Sequence, residues 1–339
     1  MYPMKMTLKS ILVSSSLLTA VQLAAAPTPE TTALRQKALE VLAPIPEKMP
    51  GAEKDTPVQV ALGERLFFEK RLSKNETQSC NSCHSVDQGL AGVDNEPTSP
   101  GAFGKRGGRN SPTVLNAGFH VAQFWDGRAA TLEDQAKGPI LNPIEMGMPD
   151  ASTVIQRLQS DRTYTQQFAQ AFPGAKEPLT YDNLARAIAA FERTLVTKDR
   201  FDDFLRGQDT ALTAKEQQGL REFVTVGCTT CHHGPLVGGK EFKKFGIFES
   251  VLAENDKGRI DVTKDEADEG VFKVPSLRNI AITGPYFHDG REGDLKAAIK
   301  TMGKIQLSVN LTADQVDSIA AYLNSMTDRS RKAKPAPAK

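Results

Sequence analysis

Small and apolar residues recur on one helical face in "YDNLARAIAAFERTL" (181–195) and again in "TADQVDSIAAYLNSM" (312–326). Thr312 and Asp314 supply start signals for the second of these. "LTAKEQQGLREF" (212–223) reads as a further capped helix. Strand-type alternation is scarce along the chain. The pattern predicts a mainly α protein with long loops, and a length of 339 residues suits about two domains.

The two halves repeat one another. "SPTVLNAGFHVAQFWDGRAATLEDQ" (111–135) lies over "VPSLRNIAITGPYFHDGREGDLKAA" (274–298) without a gap. Pro112 then pairs with Pro275, Asn116 with Asn279, Asp126-Gly127-Arg128 with Asp289-Gly290-Arg291, and Leu132 with Leu295.

Composition narrows the setting. The formal net charge is +1, which supplies no field for nucleic acid or an acidic membrane surface. The start has Lys5 and Lys9, a mostly apolar or small run over 10–22, and Ala24-Ala25-Ala26. These read as a secretory signal over 1–26, too short in its apolar run to span a bilayer. The expected organisation is a signal at 1–26, helical domains at 27–195 and 196–328, and a polar, proline-rich disordered tail at 329–339. No membrane span is expected after cleavage.

All four cysteines fall in two matching motifs, Cys80-Asn81-Ser82-Cys83-His84 and Cys228-Thr229-Thr230-Cys231-His232. Disulfides, a zinc site and covalent c-type haem compete as readings. Zinc bound by four cysteines leaves the histidine after each pair unexplained. In c-type haem the two thiols add to porphyrin vinyl groups and the adjacent histidine becomes an axial iron ligand. Two such motifs in an exported chain, with no cysteine left over, favour two haems c. The expected architecture is two cytochrome c-like helical domains, each around one covalently bound haem, with His84 and His232 as proximal ligands. Met302 is placed to be the second axial ligand of the second haem. The matching position in the first half is Pro139, which cannot ligate iron, so the first haem is expected to keep an open face.

These residues resemble the bacterial dihaem cytochrome c peroxidases, a family that includes MauG-type enzymes. "LGERLFFEKRLS", "NSPTVLNAGFHVAQFWDGRAATLEDQAKGPILNPIEMG", "GCTTCHHGP", "VPSLRNIAITGPYFHDGR" and "MGKIQLS" look like that family's signatures in its order. The resemblance implies a periplasmic enzyme that reduces hydrogen peroxide. Its electrons would come from a small cytochrome c or cupredoxin, and it would be a homodimer. It implies Glu145 as the catalytic carboxylate, Gln135 as its distal hydrogen-bonding partner and Trp125 as the electron relay. It also implies a Ca²⁺ held by Asn110, Thr283 and Pro285. Many members carry a histidine in the loop after the first haem motif; here that position is Ala102. His120 is a possible substitute, although a satisfied or exposed histidine is the favoured reading, and His233 and His288 read as structural. Two rival functions are a MauG-like oxidase of a protein side chain, which Met302 disfavours, and a non-catalytic electron carrier, which Glu145, Gln135 and Pro139 disfavour.

Overall fold

Helix α1 (Pro29–Leu39) starts where the Thr28 hydroxyl accepts from the Thr31 amide and proline takes the first helical position. The computed structural model describes residues 28–251 and 256–334, together with Met1, so the expected signal segment and residues 335–339 lie outside the described residues. In the first half follow α2 (Pro57–Phe67), the single turn α3 (Cys80–Cys83), α4 (Leu132–Leu141), α5 (Ala151–Gln159), α6 (Arg162–Ala171) and α7 (Tyr181–Glu192). The second half contains α8 (Arg200–Leu205), α9 (Ala214–Val226), α10 (Ile260–Thr263), α11 (Leu295–Leu307) and α12 (Ala313–Ser325). Among the described residues the strands are β1 (Phe242–Lys244) and β2 (Val271–Lys273), paired antiparallel. The protein is mainly helical, as the periodicity predicts.

The three helices read from sequence form with small shifts at their ends. α7 is capped by Thr180, α9 by a Thr213/Glu216 capping box, and α12 by a Thr312/Gln315 box. Gly227, at φ 98°, stops α9 and turns the chain directly into the second Cys-x-x-Cys-His motif.

The repeat is built into the backbone. Asn116 and Asn279 both adopt left-handed conformations, at φ 62° and 64°, and each leads into a 3-10 turn, Ala117–Phe119 or Ile280–Ile282. Phe124 and Phe287 repeat the positive φ, and the bridge Gln123–Ala129 returns as Tyr286–Glu292. Pro139 and Met302 occupy equivalent positions on the equivalent helices α4 and α11.

One apolar core gathers Leu62, Leu66, Phe67, Ile140, Leu184 and Ile188 with Cys80 packed against it. The other gathers Phe201, Leu220, Phe223, Ile319 and Tyr322 with Cys228 against it. Each core rests on a close helix pair, α2 on α7 and α9 on α12, and a glycine sits at each crossing. A Cβ on Gly63 would stand 1.8 Å from the Ala187 carbonyl oxygen, and one on Gly219 would stand 1.8 Å from that of Ser318. Gly63→Ala and Gly219→Ala are therefore expected to cost about 1–3 kcal/mol each. Denaturant unfolding of the holoproteins checks this; wild-type midpoints would contradict it.

Two parts of the expected organisation are corrected. Leu34, Ala38 and Leu42 pack into the second core, not the first, because the α1 segment lies against α8 and α9. The expected unit 27–195 thus begins with a segment that completes the other half. Residues 329–334, expected in a disordered tail, are tied to the first half. The Arg331 guanidinium donates to the carbonyls of Val86 (3.0 Å) and Leu90 (3.1 Å), the Lys332 amide donates to Gly89 (2.8 Å), and the Lys334 amide donates to Asn95 Oδ1 (3.0 Å). Polar composition did not reveal that the 86–95 loop offers these acceptors.

Candidate functional site

The two Cys-x-x-Cys-His motifs adopt a common local form. In each, the histidine amide bonds back to the first cysteine's carbonyl, at 2.9 Å for both His84→Cys80 and His232→Cys228. All four thiols are unpaired, which leaves no disulfide in either motif. His84 Nδ1 lies 3.0 Å from the Pro112 carbonyl, and His232 Nδ1 lies 3.2 Å from that of Val237. A carbonyl can only accept, so Nδ1 carries the proton and Nε2 keeps its lone pair for a metal. Burial lowers the pKa of both imidazoles, that of His232 to about 4, which keeps them neutral and able to ligate.

A large cavity, ≈ 1710 Å³ with its open mouth included, is lined by Cys228, Cys231 and His232 and also by Met302. Thiols, a neutral imidazole and a thioether thus surround one space, and this donor set fits a covalently bound haem with His/Met ligation. Gly238 permits the close approach: a Cβ there would stand 2.1 Å from the Pro275 carbonyl oxygen and 3.2 Å from His232 Nδ1.

At the first motif, Glu145 is half-buried in the turn after α4; burial raises the pKa of the Cys83 thiol, and the nearby charges of Asp94 and Glu145 add to it. Asn142 Nδ2 donates to its Oε1 at 2.8 Å, and the Ala102 amide donates to its main-chain carbonyl at 2.7 Å. Desolvation raises the Glu145 pKa, opposed by the Arg128 charge and the Asn142 hydrogen bond. Gln135 lies one turn before Pro139 on α4, half-buried, and no hydrogen bond to its side chain forms among the described residues. Ala102 is buried in a loop pinned onto the Glu145 segment, where Gly101 leaves no room for a Cβ, which would stand 1.7 Å from the Ile144 carbonyl oxygen.

Trp125 lines the large cavity and its indole Nε1 donates to the Asn110 carbonyl at 2.9 Å. Its repeat counterpart, His288, meets it edge-on at 6.4 Å and stacks on Phe272 at 4.1 Å. His288 Nε2 is buried without a hydrogen-bond partner. The sequence reading treated His288 as structural, yet the same alignment that pairs Asp126 with Asp289 pairs Trp125 with His288. Arg109 was also missed: it spans the halves by bonding Asp126 and Asp256, each at 2.7 Å.

His120, the possible substitute ligand, lies near the second motif. Its ring lies against Gly239 in the loop after the second motif, 3.0 Å from where a Cβ there would stand, and it lines the large cavity. It does not stand over the first motif, because the repeat puts it where Thr283 stands in the other half.

Asn110, Thr283 and Pro285 line the seam side of the same cavity. Asn110 Nδ2 donates to the carbonyls of Glu96 (2.9 Å) and Pro97 (3.2 Å). That orientation leaves Oδ1 without a hydrogen bond among the described residues, a free hard donor suited to calcium. No group of three or more His, Cys, Asp or Glu able to hold a metal occurs among the described residues, so an ion here would rely on amide and carbonyl oxygens.

Known proteins with these features share the architecture. A family model described as di-haem cytochrome c peroxidase matches residues 57–210. The chain is 45% identical over 313 residues to cytochrome c551 peroxidase of Pseudomonas aeruginosa, spanning 90% of this chain and 89% of that one. It is 32% identical to the methylamine utilization protein MauG of Paracoccus denitrificans, over 86% of this chain and 95% of that one. Among solved structures, a MauG-like protein associated with microbial copper homeostasis superposes with a TM-score of 0.76 at 30% identity, covering 84% of this chain and 94% of that one.

Proposed function

Because this chain belongs to the di-haem cytochrome c peroxidase family, we propose that it reduces hydrogen peroxide to water in the periplasm, drawing electrons from a small soluble cytochrome c or cupredoxin. One peroxide, two electrons and two protons give two waters. Bound haem would supply the redox chemistry that carries the two electrons to peroxide. The protein's own residues attach, orient and move protons. Cys80 and Cys83 would hold the first haem and Cys228 and Cys231 the second, with His84 and His232 oriented by their Nδ1–H bonds.

The observation that carries the proposal is Glu145, half-buried beside the first motif and held by Asn142. A carboxylate there can take a proton from the inner oxygen of peroxide and return one to the outer oxygen. Gln135, on the adjoining helix, would orient the substrate by a hydrogen bond. Met302, which lines the same cavity as His232, would close the second iron and raise its potential, leaving no site for peroxide there. Trp125, with a face on that cavity, would relay electrons between the haems. Ca²⁺ at Asn110, Thr283 and Pro285 would fix the seam, and a homodimer is the expected assembly. Among the described residues no helix is long and apolar enough to cross a membrane.

Ala102 gives the loop over the first motif no side chain able to ligate iron. The diferric protein is therefore expected to turn over peroxide with a reduced small cytochrome c or copper protein, without prior reduction, and to give a high-spin electron paramagnetic resonance signal. No turnover with any such donor would refute the peroxidase reading. Two low-spin signals with no high-spin signal would refute the open face alone. The MauG-like alternative draws on the same alanine and on the MauG relatives, but Met302 opposes it, since that branch uses tyrosine at the second iron.

A further inference from the structure

The seam between the halves is itself two-fold. The Asn110 amide donates to the His288 carbonyl at 2.8 Å, and the Lys273 amide donates to the Trp125 carbonyl at 2.7 Å. Asn110 and Lys273 are repeat counterparts, as are Trp125 and His288, so these bonds are one interaction exchanged between halves. The same exchange carries the expected calcium residues onto a second set: Asn110 onto Lys273, Thr283 onto His120 and Pro285 onto Ala122.

That second set already holds an amine, the Lys273 side chain, whose pKa burial lowers to about 7 against the pull of Asp126. Lys273 is buried, at 7% exposure, and its Nζ donates to the Ala122 carbonyl at 2.7 Å, the counterpart of the carbonyl expected to bind calcium at Pro285. A second pair follows the same rule. Asn95 Nδ2 donates to the Ile282 carbonyl at 3.2 Å, whereas Lys240 Nζ donates to the equivalent Phe119 carbonyl at 2.8 Å. Neutral amides thus stand on one side of the seam where lysines stand on the other. Burial pushes the His120 pKa down, and the nearby Lys273 and Lys240 add to that effect. Inward-facing carbonyl oxygens in a buried spot need a hydrogen-bond donor or a cation.

We propose that the repeat creates two related cation positions, one open to a metal ion and the other occupied by the Lys273 side-chain nitrogen with that of Lys240 beside it. This rests on the reading of Asn110, Thr283 and Pro285 as the calcium position.

The test measures bound Ca²⁺ per chain, by equilibrium dialysis and atomic emission, on full-length protein carrying both haems. Melting with and without a chelator accompanies it. Wild type is expected to bind one Ca²⁺ and Lys273→Asn two, with a larger chelator-induced fall in melting temperature. Asn110→Lys is expected to bind none and to melt like calcium-loaded wild type whether or not chelator is present. Wild type binding none removes the calcium reading and this inference with it. Wild type binding one while folded Lys273→Asn also binds one overturns the inference alone. If Lys273→Asn does not fold, Asn110→Lys decides: melting as low as chelated wild type overturns the inference.

Discussion

Glu145→Gln is expected to lower kcat/KM for hydrogen peroxide by about 10²–10⁴-fold while both haems stay attached. Glutamine keeps the shape of the carboxylate but cannot carry a proton between the two peroxide oxygens. The pH profile separates that loss from simple misplacement. Burial raises the Glu145 pKa above 4.5, so the active carboxylate form is lost as pH falls through that raised value. Wild-type kcat/KM should therefore decline on the acid side at a pH above the ordinary carboxylate range, and the variant should lack this limb. Asn142→Ala removes a hydrogen bond that lowers the pKa, so it should move the limb to higher pH. A Glu145→Gln enzyme with wild-type kcat/KM and an unchanged acid limb would remove Glu145 from the reaction.

The largest stability effect is expected at Arg278. Its guanidinium, 1% exposed, donates to Asp199 Oδ2 at 2.7 Å, pairs with Asp202 at 2.8 Å, and reaches the carbonyls of Pro235 (2.8 Å) and Ala43 (3.1 Å). One side chain thus ties the end of the α1 segment, α8 and the loop after the second haem motif. Arg278→Leu leaves Asp199 without its buried partner and Asp202 with only the more exposed Arg206 at 3.5 Å, and should cost about 3–5 kcal/mol. Burial already raises the Asp202 pKa against the pull of Arg278, so in the variant Asp202 should titrate higher still. The loss should then shrink as pH falls through that raised value, because a protonated carboxyl needs no partner. The first half has buried Leu115 at the equivalent position, so the triple variant that also neutralises Asp199 and Asp202 to Asn should regain part of the loss. Denaturant midpoints across pH decide this; a loss under about 1 kcal/mol would mean the network is replaceable.

The peroxidase mechanism and the seam argument depend on different residues. In the proposed reaction Glu145 would act at the first motif through proton transfer. Lys273 and Asn110 would act at the boundary between halves, through what each presents to the buried carbonyls, and neither touches the candidate catalytic carboxylate.

The sequence by itself determined what short-range chemistry dictates. The capped helices α7, α9 and α12, the two Cys-x-x-Cys-His turns and the ungapped repeat all rest on contacts among near neighbours, and spacing alone reveals them. The contrast between Met302 and Pro139 was equally legible, since it needs only the repeat and the ligand chemistry of the two residues. Tertiary structure alone decided where distant segments meet. It placed α1 in the second core, laid residues 329–334 along the 86–95 loop, moved His120 away from the first motif, and brought His288 against Trp125. Those outcomes depend on which buried carbonyls and apolar faces remain unpaired once the two halves dock, and no local pattern encodes that. Lys273 lies between the two cases: its position is written in the repeat, but its role appears only when the folded seam shows which carbonyl its side-chain nitrogen reaches.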